Sequence, residues 1–248
     1  MTLAVALQPR YSVRAKGRRP LTCYHEAGHC LARWFFGHSA DRAVVLTVEE
    51  VRAGAWPVDR RGRTMECEGA VEGYDIGPNP HLPVVPLASE TPEHVRKLYE
   101  QHQAIGTEMA LVDNAIGIEA EARYTKRSAF ACVLNGGMED VAHSRLLLDM
   151  RFPDPAEREA ASLLGERRAR ALVRSAPGWQ AIASVAAGLL EHGELDWHDD
   201  IAPRISAAYG DRVPGRGPVM DRWPWLLEMF RSGDVAEQQP RPDTPGGA

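Results

Sequence analysis

Two histidines four residues apart, His25 and His29, most strongly constrain what this chain can form locally. On an α-helix, side chains four positions apart project from the same face, so both imidazoles can reach one metal ion. Glu26 stands between them, beside the predicted metal position, where its carboxylate can accept a proton from water. This spacing therefore predicts a helix that carries a metal site and a general base.

The sequence around these residues favours that helix. Apolar residues recur at helical spacing from Tyr24 to Phe35, Thr22 is a candidate N-cap, and Gly37 is a candidate C-terminal stop. The competing interpretation is a buried amphipathic helix whose histidines only hydrogen-bond to neighbours. That interpretation buries the polar side chains of His25, Glu26 and His29 together, and each of them costs free energy unless it finds a hydrogen-bond partner. We therefore favour metal binding by a helix over residues 21–37, in the HExxH pattern of zinc peptidases.

Composition limits the remaining classes of function. The chain has 248 residues, 44% of them hydrophobic and 25% charged, which is typical of a globular protein with a sizeable core. A net charge of -5 gives no reason to expect nucleic-acid binding. No apolar run approaches the ~18 residues that span a bilayer, and no signal peptide is evident, so we expect a cytoplasmic protein without an integral membrane segment. The four cysteines lack metal-site spacing and are predicted to be buried thiols.

The pattern along the chain predicts three regions. These are a flexible basic leader (1–20), an expected zinc peptidase domain (21–208), and a Pro/Gly-rich tail (209–248) with a short aromatic segment (221–231). Ala43–Val48 is predicted as a strand, which can be an ordinary core-facing strand, an edge that pairs with an extended polypeptide, or both, since the two interpretations are compatible. Further elements are predicted as a strand near 63–72 and helices at about 91–124, 138–150, 155–175, 179–192 and 196–208. The expected fold class is mostly α (α+β), with a small β-sheet beside the motif helix.

The third metal ligand is not decided by spacing. A catalytic zinc usually has three protein ligands and an open position for water. His38 lies nine residues beyond His29, whereas the extended metzincin pattern places its third histidine six residues on. Glu119, Glu121 and Asp140 are the remaining candidates.

Four segments, in the same order, resemble the protease domain of the FtsH family of zinc peptidases. Residues 24–29 (YHEAGH) resemble the family's AYHEAGHA signature, and residues 136–141 (GGMEDV) resemble its GAxxDL segment. Residues 110–123 resemble its AGRAAEE helix, and residues 189–196 (LLEHGELD) resemble its LLExETLD stretch. The resemblance covers roughly residues 20–208. It implies a helical zincin-like peptidase domain that binds Zn²⁺ through His25, His29 and Asp140, with Glu26 as the catalytic base.

The chain also departs from that family. Family members carry a membrane anchor and an ATPase domain, and neither a Walker A motif nor a transmembrane segment is found here. Arg145 replaces the family's usual threonine, and the stretch from about 49 to 90 diverges. We therefore expect a zinc-dependent endopeptidase that cleaves unfolded or flexible polypeptides with a zinc-activated water. The alternative is a non-catalytic or partner-dependent zinc-binding regulator or adaptor. A homo-oligomer and a separate ATPase partner both remain open.

Overall fold

The described part of the chain is mostly helical. A computed structural model describes residues 19–59, 62–65, 67–73, 87–134 and 136–210. The helices are α1 Pro20–Phe36, α2 Val48–Arg52, α3 Glu93–Thr125, α4 Ala129–Val133, α5 Met138–Arg151, α6 Pro155–Arg174, α7 Ala176–His192 and α8 Ala202–Tyr209. The strands are β1 Arg42–Val45, β2 Gly69–Glu72 and β3 Glu194–Asp196, and one π-helical turn, Trp197–Ile201, joins β3 to α8. The predicted α+β class with a small sheet is confirmed.

The motif helix α1 begins and ends for identifiable local reasons. Pro20 occupies its first turn, where the fixed φ of proline suits a helix and the missing N–H costs nothing. Gly37 ends it in the left-handed conformation at φ 76°, with its N–H directed to the last-turn carbonyls, as predicted. The prediction of Thr22 as N-cap is wrong, because the helix starts two residues earlier. Thr22 lies inside the first turn and its hydroxyl donates to Glu68 Oε2 at 3.5 Å.

The hydrophobic core surrounds α1. This helix packs against α3 on one side and α7 on another, while α6 covers α3 and α8 covers α7. Fully buried apolar side chains come from each of these layers: Leu31, Phe35, Ile116, Ala169, Ile182, Leu189 and Ile205. Helix α1 therefore lies in the interior, and its polar motif residues must find partners on α3 and its neighbours.

The sheet is antiparallel with the strand order β2-β1-β3. Strand β1 is paired on both sides, so the prediction that it offers an edge to an extended polypeptide is wrong. The strand also ends at Val45, earlier than predicted, because Thr47 forms a capping box with Glu50 and starts α2 at Val48. Arg42 of β1 forms ion pairs with Glu72 of β2 and Glu194 of β3, each at 2.8 Å, which ties the three strands together.

The other predicted elements agree with the structure to within a few residues, with some exceptions. Helix α7 begins at Ala176, where Ser175 caps it, three residues before the predicted start. The strand predicted near 63–72 is confirmed only for its last four residues, and the short α2, α4 and β3 were not predicted. Cys23, Cys30 and Cys132 are buried free thiols as predicted, and Cys67 is partly exposed.

Two regional predictions are not addressed by the structure. Nearly all of the leader and the C-terminal tail with its aromatic segment lie outside the described residues. Among the helices that are described, none has the length and apolar character required to cross a membrane.

Candidate metal centre

Three predicted ligand atoms converge between α1 and α5. His25 Nε2 and His29 Nε2 lie 3.0 Å apart on adjacent turns of α1. Asp140, in the first turn of α5, places Oδ2 at 3.0 Å from His25 Nε2 and 3.8 Å from His29 Nε2. The structure thus brings together His25, His29 and Asp140, although Asp140 is more than a hundred positions away in the sequence.

The spacing of these atoms suits a small divalent cation. Two ligand atoms of a tetrahedral zinc with bonds of about 2.0–2.1 Å are separated by roughly 3.3 Å. The three observed separations, 3.0, 3.0 and 3.8 Å, lie on either side of that value. The Asp140 side chain retains 21% exposure while the two imidazoles retain 11% and 12%. The cluster is therefore most exposed to solvent on the Asp140 side.

The other nitrogen of each imidazole is held by a carboxylate of α3. Glu121 Oε1 lies 2.8 Å from His25 Nδ1, and Asp113 Oδ1 lies 3.2 Å from His29 Nδ1. Because a carboxylate can only accept, each Nδ1 must donate its proton to it. In the neutral imidazole this leaves the Nε2 lone pair available to a metal, as in the carboxylate–histidine–metal arrangements of zinc proteins.

The other three candidates for the third ligand, Glu119, Glu121 and His38, do not belong to the ligand cluster found among the described residues. Glu121 contacts the side of His25 that faces away from the ligand cluster, and Glu119 forms an ion pair with Arg170 at 2.8 Å. His38 is not part of the metal-ligating cluster found among the described residues. The geometry therefore favours Asp140 over these three candidates.

Two glycines allow α1 and α3 to approach closely enough for these contacts. A Cβ on Gly28 would lie 2.9 Å from the Ile116 carbonyl oxygen and 3.1 Å from Gly117 Cα. A Cβ on Gly117 would lie 2.7 Å from His25 Nε2. Contacts under 3 Å are essentially not tolerated by a real Cβ. Glycine at both positions is therefore required to bring the α1 imidazoles onto the α3 carboxylates.

The charges of the cluster raise the pKa of the two histidines and lower the pKa of Asp140, so that each group is shifted toward its charged form. Burial alone would lower the pKa of His25, but its hydrogen bonds to Asp140 and Glu121 raise that pKa above the ordinary value. Burial also opposes charge on His29, yet Asp140 and Asp113 raise the pKa of His29. Burial would raise the pKa of Asp140, whereas the two imidazoles lower it below its usual range. The arrangement therefore stabilises positive charge between the imidazoles and the carboxylates.

Glu26 lies beside the cluster on the side of the sheet. It is buried, and burial raises the pKa of its carboxyl although the two imidazoles act in the opposite direction. The first residue of β2 packs directly against it, since a Cβ on Gly69 would lie 2.9 Å from Glu26 Cγ and 3.0 Å from its Oε1. The backbone of β2 therefore runs past the predicted base.

Asp113 is the site residue that the sequence analysis missed. Asp113, Gly117 and Glu121 are spaced by four on α3, so they share one helical face, and this spacing was the available signal. Recognising it required knowing that α3 crosses α1 at Gly28. Near Asp140, Glu139 is exposed in the first turn of α5 and His143 is partly buried.

Comparison of the chain with protein-family models, with curated proteins and with solved structures found no match. The resemblance to FtsH-type peptidases therefore remains a hypothesis that rests on the four sequence segments.

Proposed function

We propose that this protein is a zinc-dependent endopeptidase of the zincin type, with His25, His29 and Asp140 as zinc ligands and Glu26 as general base. One observation carries the proposal: three ligand atoms converge on the Nε2 side of two imidazoles whose Nδ1 atoms are held by carboxylates. Glu26 supports a hydrolytic site over a purely structural one, because a structural metal site does not need a general base beside its ligands.

The residues of the chain divide the chemistry between them. When bound, zinc supplies Lewis-acid chemistry, lowering the pKa of water to about 7 and polarising a carbonyl group. Glu26 accepts the proton of the attacking water and then delivers it to the amine that leaves. Because Gly69 has no Cβ, the Glu26 side chain has room beside the first residue of β2.

The proposed substrate is an extended segment of an unfolded or flexible polypeptide. Strand β2 ends the three-stranded sheet within the described residues, and its Gly69 end adjoins Glu26. A substrate segment that pairs with the outer side of β2 would pass the general base with its backbone extended, which a folded protein cannot easily present. The proposed pairing with an extended polypeptide therefore involves β2, whereas the sequence had offered β1 as one candidate for it.

The proposal predicts metal-dependent cleavage that favours unfolded substrates. The zinc-loaded protein should hydrolyse a fluorogenic protein that is kept unfolded. It should cleave the same protein in its folded form at least about 10-fold more slowly, because a folded substrate exposes a cleavable segment only when it opens locally. Chelation of the metal should abolish cleavage, and added zinc should restore it. The rates are measured from the initial increase in fluorescence.

Two results would contradict parts of this proposal. Equal cleavage of the folded and unfolded forms would contradict the proposed substrate class. Absence of cleavage with zinc shown to be bound would contradict an endopeptidase active by itself, and would favour the zinc-binding regulator or a partner-dependent peptidase.

A further inference from the structure

We propose that Asp113 is a positioning residue for the metal site, which sets zinc affinity by holding His29 through Nδ1. The inference rests on the proposed zinc site, since it concerns the same ligand. Asp113 itself is not a ligand, because its contact is to the nitrogen that faces away from Asp140 and His25.

The geometry of two crossing helices carries this proposal. His25 pairs with Glu121, and His29 pairs with Asp113. The order of the histidines along α1 is therefore the reverse of the order of their partners along α3. Gly117 lies midway between the two carboxylates, at the point where α3 touches the His25 ring. Asp113 and Glu121 thus act at the two ends of one close helix contact.

Burial makes Asp113 more than an incidental neighbour. The side chains of Asp113 and His29 each retain only 12% exposure. A buried carboxylate needs a partner, and a buried imidazole with an unpaired N–H loses a hydrogen bond that water cannot replace. Asp113 also lies well inside the 33-residue α3, between Leu111, which α6 approaches closely at Gly165, and Ile116, which α1 approaches closely at Gly28. It therefore offers His29 a rigid acceptor.

The chemical consequence is a fixed tautomer and ring orientation. With its Nδ1 proton donated to Asp113, neutral His29 keeps its Nε2 lone pair directed at the cluster. Without the carboxylate, the ring can adopt the other tautomer or rotate about χ2, and either change must be reversed before a metal binds. Loss of such a supporting partner typically lowers metal affinity by about 10- to 100-fold.

The test compares zinc affinities of full-length variants by competition with a chromophoric chelator. Asp113→Asn should weaken zinc binding about 10- to 100-fold. Asp113→Glu keeps a carboxylate and should recover part of that loss. The matched control is Glu119→Gln, which removes another buried α3 carboxylate whose partner is Arg170 and should leave zinc affinity unchanged.

A spectroscopic readout separates positioning from general destabilisation. Long-range ¹H–¹⁵N spectra of the zinc-loaded wild-type protein should show His29 with a slowly exchanging Nδ1 proton, and this signal should be lost or exchange rapidly in Asp113→Asn. Wild-type affinity in Asp113→Asn, an equal loss in Glu119→Gln, or a rapidly exchanging His29 Nδ1 proton in the wild type would each overturn the proposal. Those outcomes leave the zinc site intact, whereas failure of the wild-type protein to bind zinc would overturn the proposed function as well.

Discussion

Replacement of Asp140 with alanine is expected to lower zinc affinity by more than about 100-fold, because it removes one of the three proposed ligands. Loss of a residue that only orients a ligand already costs about 10- to 100-fold, and loss of a ligand itself should cost more. His25 Nε2 and His29 Nε2 would remain 3.0 Å apart, but two imidazoles alone leave the cation without a negatively charged ligand. The measurement is zinc content after dialysis, together with chelator competition.

The matched control for this prediction is Asp149→Ala. Asp149 lies on the same helix as Asp140, and its carboxylate forms an exposed ion pair with Arg158. Its removal should leave zinc binding unchanged, since exposed ion pairs contribute little to the helix that carries them. Wild-type affinity in Asp140→Ala would exclude this residue as a ligand, and an equal loss in both variants would point to disturbance of α5 as a whole.

Replacement of Glu26 with glutamine is expected to lower the rate of peptide hydrolysis by about 10²- to 10⁴-fold while zinc remains bound. Glutamine has nearly the same shape, so the contact with Gly69 is kept, but its amide cannot accept the proton of water. Because Glu26 is not one of the three clustered ligands, the metal content should not change. The initial rate with an unfolded fluorogenic substrate and the bound zinc are measured on the same preparation.

Glu191→Gln serves as the control for this substitution. Glu191 is an exposed glutamate of α7 whose side chain is 74% accessible, and its replacement should change neither rate nor zinc content. Activity within a few-fold of wild type in Glu26→Gln would show that another group is the base. Loss of zinc together with activity would show that Glu26 supports the site rather than the proton transfer.

The local part of this site could be predicted from the sequence because helical spacing determines it. Two histidines four apart, a glutamate between them and a terminating Gly37 define α1 without reference to the rest of the chain. The pairing of those histidines with Asp140 could not be derived from spacing, since α1 and α5 are brought together by tertiary packing, with α3 in contact with both helices. A family resemblance suggested it instead.

The features that were missed depend on contacts between distant elements. The spacing of Asp113, Gly117 and Glu121 along α3 shows that they share a helical face, but that this face meets His29 is known only once α3 is seen to cross α1 at Gly28. Strand β1 was predicted from its β-branched residues, but its central place requires β3, a strand of only three residues, to pair with it. Strand order is a tertiary property, so sequence periodicity alone cannot tell an edge strand from a central one.

The most direct test of the metal centre is X-ray diffraction from crystals of the zinc-loaded protein, measured just above and just below the zinc absorption edge. We predict one strong anomalous difference peak within coordination distance of His25 Nε2, His29 Nε2 and an Asp140 carboxylate oxygen, with Glu121 and Asp113 on the Nδ1 atoms. A peak at any other group of side chains, with none between these three residues, would contradict the central claim.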